Sequence, residues 1–176
     1  FPATVGLFGK PTVINNVETL ANLPGIILNG SDWFLGLGKL GDGGTRLYGV
    51  SGSVARPGVY ELRVGARLRD IIFTHAGGML PGRTLKAVIP GGMSSTILRP
   101  DEIDVAMDCE ALAAAGSMMG SAGIIVIDDS VPMLAVLDRI TKFYAHESCG
   151  QCTPCRVGTS WIRKVVQRMT AGERRP

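Results

Sequence analysis

The fold-determining stretch is residues 47–64, L-Y-G-V-S-G-S-V-A-R-P-G-V-Y-E-L-R-V. Two short runs rich in strand-forming residues flank a turn at residues 56–58, which is typical of a β-hairpin. Downstream, apolar residues at helical spacing end at Gly77-Gly78, and the run L-K-A-V-I-P-G-G at residues 85–92 predicts another strand. Strand, strand, helix and strand in this order predict a small α+β module over residues 45–100.

The segment after residue 100 predicts a short alanine-rich helix, a buried strand at residues 124–127 and two amphipathic helices. Ser130 is expected to cap the first amphipathic helix, with Pro132 in its first turn, and Thr159 or Ser160 to cap the second. Two such helices cannot bury both apolar faces alone, so a helical bundle is expected. The residues expected on the buried faces are Met133, Leu137, Ile140 and Tyr144, and then Trp161, Ile162, Val165, Val166 and Met169.

Three of the four cysteines lie in residues 147–156, E-S-C-G-Q-C-T-P-C-R, at C-x-x-C-x-x-C spacing. Iron-sulfur clusters are held by cysteine thiolates, and two-residue gaps let one tight turn direct successive sulfurs into one cavity. Cys149, Cys152 and Cys155 are therefore candidate cluster ligands. A bacterial ferredoxin pattern is excluded because no x-x-x-C-P follows Cys155. A structural zinc site and unligated thiols stay open as alternatives.

The fourth ligand is not evident in the sequence. Cys109 lies in the acidic segment D-E-I-D-V-A-M-D-C-E, where negative charge disfavours a thiolate, and it is expected to be a small buried apolar residue. We therefore expect the fourth thiolate beyond Pro176 or on a partner chain, and we expect the sequence to be a fragment.

Near the N-terminus, the segment T-V-I-N-N-V-E-T-L-A-N-L at residues 12–23 predicts a helix that begins near Asn16. Asn15 with Glu18 three residues later has the form of a capping box. The free amides of this helix end, lined by Asn15, Asn16 and Thr19, suit a phosphate group. An ordinary helix cap is the alternative at this point.

Composition indicates a globular, soluble protein: 45% of the 176 residues are hydrophobic and 19% are charged. The longest uncharged run is broken by glycines and carries serines, so it is a poor membrane span. Residues 139–176 hold 8 Lys/Arg against 2 Asp/Glu, which makes the cysteine region basic, yet no aromatic or motif signal supports nucleic-acid binding. Clustered free thiols favour a reducing compartment.

The order of N-N-V-E-T, the hairpin module and E-S-C-G-Q-C-T-P-C-R resembles the flavin-bearing, NADH-oxidising subunit of respiratory complex I. Diaphorase subunits of NAD-linked hydrogenases and formate dehydrogenases are similar. The resemblance covers essentially the whole sequence. It implies the end of an FMN-binding α/β domain at 1–44, a ubiquitin-like β-grasp (SLBB-type) module at 45–100, a connecting α/β segment at 101–130, and the start of a 4Fe-4S helical bundle at 131–176.

The resemblance also implies roles for individual residues. The N-N-V-E-T segment contacts FMN in this family, which implicates Ile14, Asn15, Asn16 and Thr19 and favours cofactor binding over a plain cap. Cluster ligation carries over to the three clustered cysteines, and the fourth family cysteine comes well downstream of the third. The glycine-rich NADH loop of the family is not in this sequence, so nicotinamide binding is assigned to no residue. Ser148 and Arg156 are expected beside the cluster ligands, with solvated loop positions as the alternative.

The implied activity is NADH dehydrogenation, with electrons passing through FMN to a 4Fe-4S cluster and on to a quinone-reducing complex. The implied partners are the remaining subunits of that complex, including a thioredoxin-like 2Fe-2S subunit and an iron-sulfur relay subunit. The implied location is the bacterial cytoplasm, peripheral to the inner membrane, without membrane insertion. Two further functions stay open: a hydrogenase or formate dehydrogenase diaphorase, and a non-catalytic metal-binding assembly module.

Overall fold

The computed structural model describes residues 1–39 and 41–173. Residues 40 and 174–176, which fall in the first and last predicted segments, lie outside this description. The chain divides into two compact units. The first comprises Phe1–Leu47 and Glu61–Ala66, and the second comprises Tyr48–Tyr60 and the chain from Arg67 onward.

The first unit contains a 3-10 turn at Leu7–Gly9 and the helices α1, Val17–Asn29, and α2, Ser31–Leu37. The helix start near Asn16 is confirmed, but the expected cap at Asn15 is wrong. Asn16 Oδ1 accepts the amide of Glu18 at 2.8 Å, so Asn16 is the cap. Glu18 is consequently one position too early for a capping box. Its carboxylate instead accepts the amide of Leu47 at 3.2 Å.

A four-stranded sheet is built from β1, Thr45–Gly52, β2, Gly58–Arg63, β3, Leu85–Ile89, and β4, Gly123–Asp128. The strand order is β2-β1-β4-β3. Strand β4 pairs parallel to β1 and antiparallel to β3. The chain is therefore a mixed α/β structure, and the predicted hairpin strands and the strand at residue 85 are confirmed.

Strand β4 lies at the centre of this sheet, although its sequence falls in the segment 101–130 that was expected to be a connection. Its pairing with β1 joins Gly49 to Gly123 across more than seventy residues. Parallel strands cannot be joined by a tight turn, and the chain accordingly passes through β2 and β3 before β4 returns to lie beside β1.

Two short helices lie along this connection, one between β2 and β3 and one between β3 and β4. Helix α3, Leu68–Asp70, continues as a π-turn over Ile71–His75, and Leu68, Ile71 and Ile72 are buried. Helix α4, Cys109–Ala114, is capped by Asp108, whose carboxylate accepts the amide of Ala111 at 2.8 Å. The expectation that Cys109 is buried is wrong: it occupies the first position of α4 and is exposed. Leu112 is the buried residue of this helix.

The last two helices are α5, Met133–Glu147, and α6, Thr159–Thr170, and they pack against each other. Helix α5 covers the apolar cluster of Ala87, Ile89 and Ile127 with Val136 and Ile140. Ile140 thus packs on the core as expected. In contrast, Met133, Leu137 and Tyr144 are 37–42% exposed, because the face that meets the sheet is rotated toward Val136.

Both predicted helix caps in this region are wrong. The Ser130 hydroxyl donates to Asp128 Oδ1 at 2.6 Å, and α5 begins at Met133 with Pro132 in the cap position. Thr159 and Ser160 lie inside a helical path that already includes a π-turn at Pro154–Gly158. Of the apolar face expected on α6, Val166 is buried, at 3% exposed, and Trp161, Ile162, Val165 and Met169 are 45–66% exposed. Among the described residues, no helix is long and apolar enough to cross a membrane.

Candidate functional site

The cysteine-bearing segment is the loop that joins α5 to α6, and it belongs to the second unit. Helix α5 ends at Glu147 with Ser148 as its C-terminal cap residue. The chain then reverses at Gly150, which has a φ of 73°. A Cβ at Gly150 would meet nothing within 4 Å, so the requirement for glycine is conformational rather than steric. The loop therefore places Cys149 and Cys152 on either side of a left-handed turn.

Arg156 holds this loop from its C-terminal side. One guanidinium nitrogen, Nη1, donates to the carbonyl of Gly150 at 3.3 Å and to that of Gln151 at 3.5 Å. The other, Nη2, donates to the Thr153 hydroxyl at 3.3 Å. The sequence predicted only that Arg156 lies near the cysteines. The structure shows that its side chain donates to the backbone between Cys149 and Cys152.

All three clustered cysteines are free and exposed. The described part of the chain brings no three His, Cys, Asp or Glu side chains close enough together to hold a metal ion. The donor set nevertheless fits a thiolate-ligated cluster in kind and in sequence spacing, because all three donors are exposed cysteine thiols between α5 and α6. Cys109 is likewise free and exposed, at the start of α4.

The residues expected to contact a flavin lie in the first unit. Ile14, Asn15, Asn16 and Thr19 are all exposed, at or just before the N-terminal end of α1. The cap bond from Asn16 satisfies the amide of Glu18, while the remaining amides of the first turn have no partner within the helix. This end of α1 therefore offers N–H donors and a partial positive charge to an anionic group.

Glu18 makes a contact that sequence reasoning, which placed it in a capping box, did not predict. Its carboxylate bonds the amide of Leu47 at the start of β1, and the neighbouring Thr45 hydroxyl donates to Glu61 at 2.6 Å. A concave surface in the first unit runs along these groups. The sequence showed an acidic residue within N-N-V-E-T, but the capping-box interpretation had already explained it, so its contact with β1 was not predicted.

Comparison with models of protein families identifies the class of protein to which each part of the chain is similar. Residues 135–176 match the family model described as the NADH-ubiquinone oxidoreductase-F iron-sulfur binding region. Residues 47–98 match the model of the SLBB domain. The cysteine loop thus falls within an iron-sulfur binding region that follows an SLBB domain.

Comparison with individual proteins then identifies the kind of subunit that the chain resembles. The chain is 55% identical to the F 2 subunit of the NADH-quinone oxidoreductase of Rhizobium meliloti (strain 1021), over 98% of this chain and 41% of the relative. It is 47% identical to the F subunit of the NADH-quinone oxidoreductase of Mycobacterium bovis (strain ATCC BAA-935 / AF2122/97), over 98% of this chain and 38% of that protein. The chain is therefore a homologue of the F subunits of NADH-quinone oxidoreductases, and it spans about two fifths of the length of these relatives.

Solved structures give a similar result. The fold resembles a chain of an NAD+-reducing NiFe hydrogenase in its air-oxidised state, with a TM-score of 0.79 and 38% identity. The H2-reduced state of an enzyme of the same description gives a TM-score of 0.80. In both cases the match covers 98% of this chain and 29% of the hydrogenase chain.

Proposed function

We propose that this chain is part of an NADH dehydrogenase flavoprotein subunit that passes electrons from NADH through FMN to a 4Fe-4S cluster. The observation that carries the proposal is the 55% identity to an F subunit of an NADH-quinone oxidoreductase across 98% of the chain. The thiol-rich α5–α6 loop lies inside the matched iron-sulfur region, which gives the proposal a chemical basis. The electrons would continue to a quinone-reducing respiratory complex.

In this proposal Cys149, Cys152 and Cys155 hold three corners of the cluster, and a fourth thiolate comes from outside the sequence. When bound, FMN would exchange two electrons with a nicotinamide and the cluster would carry them singly. The short segment between α5 and α6 would supply all three thiolates. The exposure of all three thiols supports this assignment, because ligand entry then requires no opening of the core.

On the flavin side, Ile14, Asn15, Asn16 and Thr19 would contact FMN. Their exposure at the positive end of α1 supports a contact with the anionic part of the cofactor. The Asn16 side chain already accepts the Glu18 amide, so its remaining amide N–H groups are the donors available to a ligand. The bond from Leu47 to Glu18 would hold this end of α1 against the start of β1.

We further propose that, along the sequence, a ubiquitin-like β-grasp module lies between the end of a flavin-binding domain and the start of a helical bundle. The strand order β2-β1-β4-β3 with a parallel central pair supports the β-grasp assignment. The predicted segments 1–44, 45–100, 101–130 and 131–176 remain proposals. The position of β4 favours extending the sheet module to residue 128.

The subunit would assemble with a thioredoxin-like 2Fe-2S subunit and an iron-sulfur relay subunit. The complex would lie in the bacterial cytoplasm, peripheral to the inner membrane. A second candidate is a diaphorase subunit of an NAD-linked hydrogenase, and the TM-score of 0.79 to such an enzyme favours it over a formate dehydrogenase diaphorase or an assembly module. The local chemistry of the cysteine loop would be the same in both candidates.

The test is anaerobic analysis of iron, sulfide, zinc and flavin in the complete polypeptide that carries this sequence, with low-temperature EPR after reduction by NADH. About four iron atoms and one FMN for this polypeptide, with an NADH-reducible cluster signal, are the expected result. Zinc without flavin would instead indicate a non-catalytic assembly module. Co-purification with a hydrogenase rather than with quinone-reducing subunits would select the second candidate.

A further inference from the structure

The loop between α5 and α6 is held together by local bonds. Among the described residues, the hydrogen bonds that the structure gives for positions 148–156 all join residues no more than six apart. Most of these involve the backbone of the turn, such as the bond from the Gly150 amide to the Ser148 hydroxyl at 3.3 Å. Arg156 is the side chain that spans the loop, since it reaches from the residue after Cys155 back to the residue after Cys149.

The geometry of this contact depends on a planar guanidinium. Two carbonyl oxygens and one hydroxyl are reached by two different nitrogens of the same plane, at 3.3–3.5 Å. An ammonium is a point charge on a flexible stem and presents no such fork. Lysine at this position would keep the charge while losing the defined reach to Gly150, Gln151 and Thr153.

The charge of Arg156 would also act on an anion held by the three thiols, because the guanidinium contacts the backbone between Cys149 and Cys152. A guanidinium is protonated at all relevant pH values, and thiolate ligands make a cluster anionic. Reduction adds a further negative charge, so a neighbouring cation stabilises the reduced form more than the oxidised form. Removing the cation should therefore lower the midpoint potential of the cluster.

We propose that Arg156 is a positioning residue for the cluster: it holds the turn that carries Cys149 and Cys152 and supplies the fixed positive charge beside the ligated thiolates. This inference rests on the proposed function, because it requires a cluster on the three cysteines. In this proposal, Arg156 slows the loss of the cluster and raises its midpoint potential.

The experiment uses the complete polypeptide with three substitutions: Arg156→Gln, Arg156→Lys and Arg168→Gln. Arg168→Gln is the matched charge control, because Arg168 lies twelve residues further on, about 18 Å along the helix, and thus beyond the Debye length of about 8 Å. The rate of iron loss to a chelator and the midpoint potential, titrated with dithionite and mediators, are measured for each protein. Neither measurement requires NADH or bound flavin.

We expect Arg156→Gln to lose iron about tenfold faster than wild type, as for other partners of metal ligands, and to have a lower midpoint potential. Arg156→Lys should lose iron faster but keep a potential close to that of wild type. Arg168→Gln should match wild type in both. If Arg156→Gln has the same potential as Arg168→Gln, the proposal is overturned while the proposed function stands.

Two further outcomes are decisive. If Arg156→Gln does not fold, a rate of iron loss in Arg156→Lys equal to that of wild type overturns the proposal, and a faster rate supports it. If the wild-type protein assembled anaerobically holds no iron, the proposed function itself fails, and the role of Arg156 fails with it.

Discussion

At the residue scale, the three clustered cysteines can be substituted without leaving a cavity, because their side chains are exposed. Cys152→Ala in the complete polypeptide is expected to abolish the cluster and leave FMN bound, since the proposed flavin contacts lie elsewhere in the sequence. Iron, sulfide and flavin analysis with EPR provides the measurement. Cys109→Ala, which removes another exposed thiol, is the matched control and should keep the cluster. A full 4Fe-4S signal in Cys152→Ala would contradict the ligand assignment.

Gly150 allows a second residue-scale prediction. A side chain at its φ of 73° costs about 1–2 kcal/mol, so Gly150→Ala should strain the loop and reduce iron retention. Gly158→Ala is the control, because Gly158 has helical angles and open space around its Cβ position. That substitution should stabilise the helix by about 0.5–1 kcal/mol. Denaturant unfolding and iron content are measured for both, and equal effects of the two substitutions would argue against a left-handed Gly150.

The buried carboxylate of Asp128 gives a pH-dependent prediction. The Ser130 hydroxyl, which donates to Asp128 Oδ1, lowers the pKa of this carboxyl below its ordinary value of 3.8, although burial acts in the opposite direction. A lowered folded-state pKa contributes stability that is present above pH 3.8 and is lost as the pH falls through the folded-state value. Asp128→Asn should therefore be less stable than wild type at neutral pH, and the difference should shrink below about pH 4.

Thermal unfolding from pH 7 to pH 3 measures this difference, with Ser130→Ala as a companion variant. Removing the hydroxyl should raise the pKa of Asp128 and move the loss of stability to higher pH. A difference between wild type and Asp128→Asn that stays constant over the whole range would exclude a linked protonation at this site.

At the element scale, the pairing of β1 with β4 depends on the glycine at the end of β1. Gly52 has a φ of 90°, and a Cβ there would lie 2.1 Å from the carbonyl oxygen of Val126. Gly52→Ala is expected to destabilise the protein by about 3 kcal/mol, from backbone strain and overpacking together. Gly49→Ala in the same strand is the control, because a Cβ there meets nothing within 4 Å. Urea unfolding compares the two, and similar midpoints would contradict this account of the β1–β4 pair.

The two C-terminal helices show how periodicity can locate a helix and still misplace its buried face. Ile140 and Val136 cover the cluster on the sheet, whereas Met133, Leu137 and Tyr144 were expected there. These five residues form one broad apolar arc, and the sequence alone did not indicate which side of the arc meets the sheet.

At the scale of the whole molecule, much apolar surface is exposed in each unit. In the first unit, Val17, Ile27 and Leu28 of α1 are 79–82% exposed. In the second, Trp161, Ile162, Val165 and Met169 are 45–66% exposed. Exposed patches of this kind promote association and dye binding.

The 176-residue chain produced alone is therefore expected to bind the dye ANS and to scatter light at micromolar concentration. The double substitution Ile27→Glu and Leu28→Glu should reduce both signals, because it places two charges on the apolar face of α1. A matched substitution of two polar residues of the same helix, Asn22→Glu and Asn29→Glu, controls for added charge. Equal reduction by both pairs would show that net charge, and not the apolar face, governs association.

Local sequence determined the positions of the four strands, of the helix start near Asn16 and of the two long C-terminal helices, and it located the cysteine loop between those helices. A hairpin, a helix ending at a glycine pair and C-x-x-C-x-x-C spacing are all set by residues within a few positions of one another. The helix start near Asn16, strands β1 to β4 and the two long C-terminal helices followed from such patterns. The homology to the F subunits of NADH-quinone oxidoreductases also rests on the sequence alone.

The tertiary structure decided what depends on residues distant in sequence. It placed β4 between β1 and β3, showed why Gly52 must be glycine and oriented α5 on the sheet. It also moved Ser130 from a helix cap to a partner of Asp128 and exposed Cys109. Such features could not be read from sequence because a parallel strand pair, a packed face and a competing hydrogen-bond partner are chosen only when the folded chain brings distant segments into contact.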